Sequence, residues 1–288
     1  MPNSFRRGLL ESHPARSVWR TGAEDQSDIA AAYAKGPVGS GDLTSYLKPR
    51  KDQGQSETCF AHAKAACMEG MAAIEGTPLP FEVSPLFIAS GTYSGVRNAS
   101  TPPGRPLPDL QDTGAQLEDA AATDRWGTAP MGMQIAGRDG VSDVPNDPSG
   151  PGALFPEPAF SQIVKGLKYP MSGEYQIVVN ANAPRMLAAC LDARVLVWDG
   201  FFCDSVYENL GPNDVAGVPD PSDPNGGGHS EFYAAYRIVP RNGIQKIEGL
   251  KINSWGKSWG LNGGIWCSEE HIMAEWSLFP YTSKLVHA

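Results

Sequence analysis

Asp52-Gln53-Gly54-Gln55-Ser56-Glu57-Thr58-Cys59-Phe60-Ala61 is the stretch on which the fold turns. It opens the best helix in the chain, expected over residues 56–74. Ser and Thr supply caps, Ala61, Ala63, Ala65, Ala66, Met68, Met71, Ala72 and Ala73 are good helix formers, and Gly76 stops the run. A cysteine in the opening turn sits at the positive end of the helix dipole, which favours the thiolate, the form that attacks a carbonyl carbon. Gln53 lies on a Gly-containing turn just upstream. Its side-chain amide can reach the thiol and donate, together with the Cys59 backbone N–H, to a developing oxyanion. Taken alone, Cys59 reads more simply as a small apolar residue at a helix start. Its partners decide.

The first partner is His229, which follows Gly226-Gly227-Gly228 and precedes an apolar strand expected over residues 232–239. A histidine at a strand start after a flexible loop is placed to face a cleft, although alone it reads as a surface residue. The second is Asn253, at the end of a strand expected over residues 247–253 and followed by Ser254-Trp255-Gly256-Lys257-Ser258-Trp259-Gly260. An amide oxygen there can accept from the imidazole N–H and fix its tautomer. His62, one turn along the Cys59 helix, points down the helix side and is assigned a structural role.

With the three in the order Cys, His, Asn, the chain resembles the papain-like (C1) cysteine peptidases over roughly residues 48 to 275. Gln53-Gly54…Cys59-Phe60-Ala61 is similar to that family's nucleophile segment. Asn253-Ser254-Trp255-Gly256…Trp259-Gly260…Asn262-Gly263-Gly264 is similar to its asparagine segment. The resemblance implies an α+β, two-lobe papain-like fold, with a helical lobe whose central helix starts at the nucleophile and a β-rich, barrel-like lobe. It implies catalysis by Cys59, His229, Asn253 and Gln53, and the Trp255 indole over the Asn253–His229 hydrogen bond. It places Glu57, Gly114, Gly228 and Trp255 about the substrate. The departures are Ser56 in place of a disulfide cysteine, Glu57 in place of a glycine that lines the cleft, Phe60 in place of Trp, and Thr113-Gly114 where the family has a glycine pair.

Around this core, residues 1–47 are rich in Gly, Ser, Ala and charge and read as an N-terminal arm or short pro-segment, with one helix near 25–35. Residues 48–288 form the catalytic domain, with the helical lobe to about 150 and the β-rich lobe beyond. Further helices are expected over 116–126 and 184–191, the second with Pro184 at its start. Further strands are expected over 194–198 and 264–267, and residues 211–228 read as an acidic, Pro/Gly-rich insertion.

The chain has 288 residues, 41% hydrophobic and 19% charged, which fits a globular protein with a sizeable core. A net charge of −9 without a Lys/Arg run excludes nucleic acid as the expected partner. No stretch approaches the ~20 apolar residues of a membrane span, and the N-terminus lacks the apolar core of a signal peptide. Five cysteines, Cys59, Cys67, Cys190, Cys203 and Cys267, make an odd count without metal-ligand spacing. Cys67, Cys190, Cys203 and Cys267 read as core thiols. No metal or cofactor is expected, and the substrate is a protein or peptide. The expected place is the cytoplasm, export by a non-classical route, or a virus particle. Two alternatives stay open: acyl transfer of the transglutaminase or deamidase type, and a papain-fold structural or binding component of a virus particle or bacterial effector. An assembly partner would then contact the termini.

Overall fold

The computed structural model describes residues 9–10, 26–54, 56–79, 82–85, 87–89, 92, 110–111, 115–116, 154–155 and 179–281. Its central helix, α2, spans Cys59–Ile74. It begins three residues later than the composition suggests because the preceding polar side chains bind the turn. Ser56 Oγ donates to the Gln53 carbonyl, and Thr58 is engaged with Ser56 and His62. Cys59 is thereby the first helical residue. Almost every side chain from Cys59 to Ala72 is buried, so α2 is a core helix rather than a surface one. Gly70 permits its close approach: a Cβ there would lie 2.6 Å from Leu196 Cδ1 and 3.0 Å from Leu47 Cδ2.

Against α2 packs a curled sheet. In chain order its strands are β1 (Leu9–Leu10), β2 (Ser40–Asp42), β4 (Ala115–Gln116), β6 (Val197–Cys203), β7 (Val215–Ala216), β8 (Gly227–His229), β9 (Phe232–Arg241), β10 (Ile244–Ile252), β11 (Gly264–Cys267) and β12 (Ser277–Pro280); β3 (Leu110–Gln111) and β5 (Leu154–Phe155) pair separately. The spatial order is β4-β1-β8-β6-β9-β10-β11-β7, with β12 on β6 and β2 on β9. The described helices also include α1 (Gln26–Lys35), α3 (Ala183–Asp192), α4 (Ser205–Glu208) and α5 (Glu269–Met273), and a short 3-10 helix spans Thr44–Tyr46.

Three local features position the site. First, β8 and β9 form one interrupted strand against β6. At the break, Asp199 of β6 fills in for the missing ladder: its N–H donates to the Glu231 carbonyl at 3.0 Å, and its Oδ1 accepts from the Glu231 N–H at 2.8 Å. Second, the β9–β10 ladder changes register between Leu250 and Lys251. This bulge sets which side chains at the end of β10 face the core. Third, the hairpin closes through Asn242 (φ 52°) and Gly243 (φ 78°), two left-handed residues whose twist suits a tight turn.

The expected strand over 194–198 begins later, at Val197, because α3 runs to Asp192 and Arg194 (φ 64°) makes the turn. Gln116 lies in β4, and residues 117–126 of the helix expected there fall outside the described residues, as does the lobe boundary near 150. Strands β8 and β12 and helices α4 and α5 were not anticipated. Part of the N-terminal region joins the domain: Ile29 and Leu43 are buried in the core, β2 pairs with β9, and Arg185 donates to the Tyr33 carbonyl at 2.9 Å. Among the described residues no helix is long and apolar enough to cross a membrane.

Candidate active site

The structure brings Cys59, His229 and Asn253 together from the start of α2, the end of β8 and the residue after β10. His229 Nε2 lies 3.0 Å from Asn253 Oδ1. That oxygen also accepts the Ser254 N–H at 2.7 Å, which orients the amide. A carbonyl oxygen can only accept, so Nε2 must carry a hydrogen. In the neutral ring Nδ1 is then the bare nitrogen. It is buried without an oxygen or nitrogen partner and is left to the Cys59 sulfur. Trp255 stacks on the imidazole (centroids 4.7 Å, 26°) and Phe201 meets it edge-on at 5.7 Å, so the ring is held on two sides.

Burial alone would push the His229 pKa down. The adjacent Cys59 sulfur and then the Glu231 carboxylate outweigh it and raise it to about 10. His62 behaves oppositely: burial takes it to about 3, and its Nδ1 donates to the Thr58 carbonyl at 2.9 Å. It is a neutral, pinned side chain in the flank of α2.

Gln53 is buried and held from both motif segments. Its N–H donates to the Ser254 carbonyl at 2.7 Å, its Nε2 donates to the Ser56 carbonyl at 2.8 Å, and its Oε1 accepts from Ser254 Oγ. The loop that carries it is bridged to the loop after Asn253 through Asp52 and Trp255. Gly256 (φ 73°) is needed there, because a Cβ would lie 3.0 Å from Asp52 Oδ2. The two signature segments therefore fold as one unit.

Glu57 is half-buried immediately before this helix start, and Gly228 pairs with Phe202 of β6 and Leu9 of β1. Trp255 is stacked on His229 rather than open to a cleft. Gly114 lies outside the described residues. All five cysteines are free thiols and buried. Sequence reasoning missed a buried charged cluster under the histidine. Glu231 Oε1 is 3.4 Å from His229 Nε2; Lys251 Nζ is 2.8 Å from Asp199 Oδ2 and 2.9 Å from Glu275 Oε1. The available signal was a lysine and a glutamate set inside apolar strand sequence, at Leu250-Lys251-Ile252 and Glu231-Phe232. Among the described residues no group of three or more His, Cys, Asp or Glu side chains is arranged to hold a metal ion.

No protein-family model matches the sequence, and no curated protein does. Solved structures do match. One is xylellain, a cysteine protease from Xylella fastidiosa, at 20% identity and a TM-score of 0.66, covering 98% of this chain and 98% of that one. Two others are from the larval midgut of Tenebrio molitor. Digestive procathepsin L 3 has 18% identity and a TM-score of 0.55, over 95% of this chain and 76% of that one. Digestive procathepsin L2 proteinase has 19% identity and a TM-score of 0.55, over 85% and 68%. The chain has the two-lobe α+β fold of the papain-like cysteine proteases.

Proposed function

We propose that the chain is a cysteine peptidase that hydrolyses peptide bonds through a thioester acyl-enzyme. The observation that carries this reading is the orientation of His229. Its Nε2–H is tied to an amide oxygen that Ser254 N–H holds in place, which turns a proton-accepting Nδ1 toward Cys59. Nδ1 takes the Cys59 proton, and the sulfur attacks the carbonyl carbon. The C–N bond breaks as His229 returns that proton to the leaving amine. Water, deprotonated by His229, then cleaves the thioester and frees the thiol. The Cys59 N–H and Gln53 Nε2 donate to the oxyanion. Asn253 fixes the tautomer, and Trp255 shields the Asn253–His229 bond from water. Glu57, Gly114 and Gly228 contact the substrate.

The enzyme is restrained by its own N-terminus. Leu9 pairs on one side with Gly228, the residue before the base, and on the other with Ala115, next to Gly114. A peptide strand laid there occupies the backbone that a substrate would use. Cys59 and His229 are both fully covered, in keeping with a blocked cleft.

Labelling with an irreversible epoxide or chloromethyl ketone, followed by turnover of a peptide library, tests the peptidase reading. Modification at Cys59 and cleavage that Cys59→Ala abolishes are expected. Labelling without turnover of any peptide, by the full chain and by a chain lacking residues 1–22, would refute it. Amide transfer or deamidation by the same thiol would assign the site to acyl transfer instead.

A further inference from the structure

We propose that Glu231 is a positioning residue of this site, a second buried acceptor that holds the His229 ring beside Asn253 and favours its protonated form facing Cys59. Its effect on turnover rests on the peptidase reading above; its effect on His229 itself does not.

The geometry leaves Glu231 little else to do. Its side chain is buried, and among the described residues its one ion-pair partner is His229, with Oε1 3.4 Å from Nε2. Asn253 Oδ1 is closer, at 3.0 Å, and takes the hydrogen bond. The carboxylate therefore acts mainly through its charge, which an amide cannot supply. Glu231 is also fixed at its other end. Its Oε2 accepts the Tyr207 hydroxyl at 2.7 Å, and its backbone N–H donates to Asp199 Oδ1 at 2.8 Å. It cannot swing away from the ring without stranding the buried Tyr207 hydroxyl.

Lys251 also feels the Glu231 charge, but after its direct partners Asp199 and Glu275. On β10, Lys251 lies between Asp199 of β6 and Glu275 beyond α5, and it contacts His271 at 3.2 Å. His271 is held neutral by burial and by Lys251. From α2, His62 is neutral and bound to Thr58, and Cys59 faces the far ring nitrogen. Cys267 of β11 is driven up by burial and stays a thiol. An unpaired carboxylate in such a place would be strongly unfavourable. The imidazolium and Glu231 stabilise each other, and the imidazolium in turn stabilises a Cys59 thiolate.

The test uses Glu231→Gln in the full chain, which keeps the shape and the Tyr207 contact and removes the charge. Titration of the His229 ring by NMR and the pH profile of Cys59 alkylation require no substrate. The His229 midpoint should fall by about one pH unit or more, and the alkaline limb of peptide turnover should move down with it, lowering kcat with KM little changed. A titration superimposable on the wild type would overturn the inference. Tyr207→Phe covers the case of a glutamine variant that does not fold. It removes only the hydroxyl that anchors the carboxylate and should move the same midpoint in the same direction by less. An unmoved midpoint there would equally overturn it. A chain that cleaves no peptide either with or without residues 1–22, but whose His229 midpoint drops in Glu231→Gln, would sink the peptidase reading and leave this one standing.

Discussion

Lys251→Met isolates the buried charge cluster beneath His229. The ammonium is 2.8 Å from Asp199 Oδ2 and 2.9 Å from Glu275 Oε1, with all three side chains fully buried. It also lies 3.3 Å from the Phe201 ring centroid. Methionine keeps most of the lysine stem, so the packing loss is small. What remains is two carboxylates without their cation, and burial already pushes both pKa values up in the wild type. The folded variant must take up at least one proton. Neutralising a carboxyl with an ordinary pKa of about 4 at pH 7 costs about 4 kcal/mol, at about 1.4 kcal/mol per pH unit. This falls within the roughly 3–5 kcal/mol expected for breaking a buried pair. The sign follows from linkage. Above the carboxylate range the native variant binds more protons than the unfolded chain, so its stability falls as pH rises. The deficit against wild type should shrink to about 1–2 kcal/mol near pH 5. Urea unfolding of both proteins at several pH values, with matched m-values, measures it. A deficit of the same size at pH 5 and pH 7, or one below about 1 kcal/mol at pH 7, would refute the reasoning.

Three further outcomes follow from the same geometry. Removal of residues 1–22, which stops short of α1 and the buried Ile29, should speed both Cys59 alkylation and peptide cleavage by about tenfold or more, because a short tether holds the arm at roughly millimolar local concentration; unchanged kcat/KM with a lower melting temperature would show that the arm only stabilises. Gln53→Ala should lower kcat by about tenfold to a thousandfold in a folded protein, and Asn253→Ala should cost less than His229→Ala, since it orients the base without carrying the proton; steady-state kinetics ranks them. Gly70→Ala drives a methyl to 2.6 Å from Leu196 Cδ1 and should destabilise by about 1–3 kcal/mol in spite of the better helix former; a gain in melting temperature would mean that Leu196 and Leu47 yield freely.

The site was legible where chemistry is written locally. Gln53, Cys59 and the Asn253–Gly264 segment each sit in a short pattern whose glycines and polar side chains have a use within a few residues, and the structure gathers them with His229. The start of α2 was misread by three residues because Ser56 and Thr58 look like caps, yet their hydroxyls bind the preceding turn and His62. Strand β8 was hidden in a glycine run whose pairing comes from Phe202 and Leu9, remote in sequence. Asp199 and Glu275 were hidden for the same reason, while Lys251 and Glu231 showed only as charges inside apolar strand sequence, without their partners. The bulge between Leu250 and Lys251 and the break at Ser230–Glu231 lie where these side chains meet.

The β9–β10 hairpin also decides where this protein tolerates a change in length. The ladder shifts register at the bulge, so one residue added or lost within Phe232–Arg241 or within Ile244–Ile252 would turn the Lys251 and Asn253 side chains outward together. The Asn242–Gly243 turn is exposed and lies at the other end of a nine-residue strand, about 30 Å from Asn253. An affinity tag or fluorescent reporter grafted there would leave the registration of His229, Cys59 and Asn253 untouched, which makes this turn the natural handle for immobilising or labelling the chain.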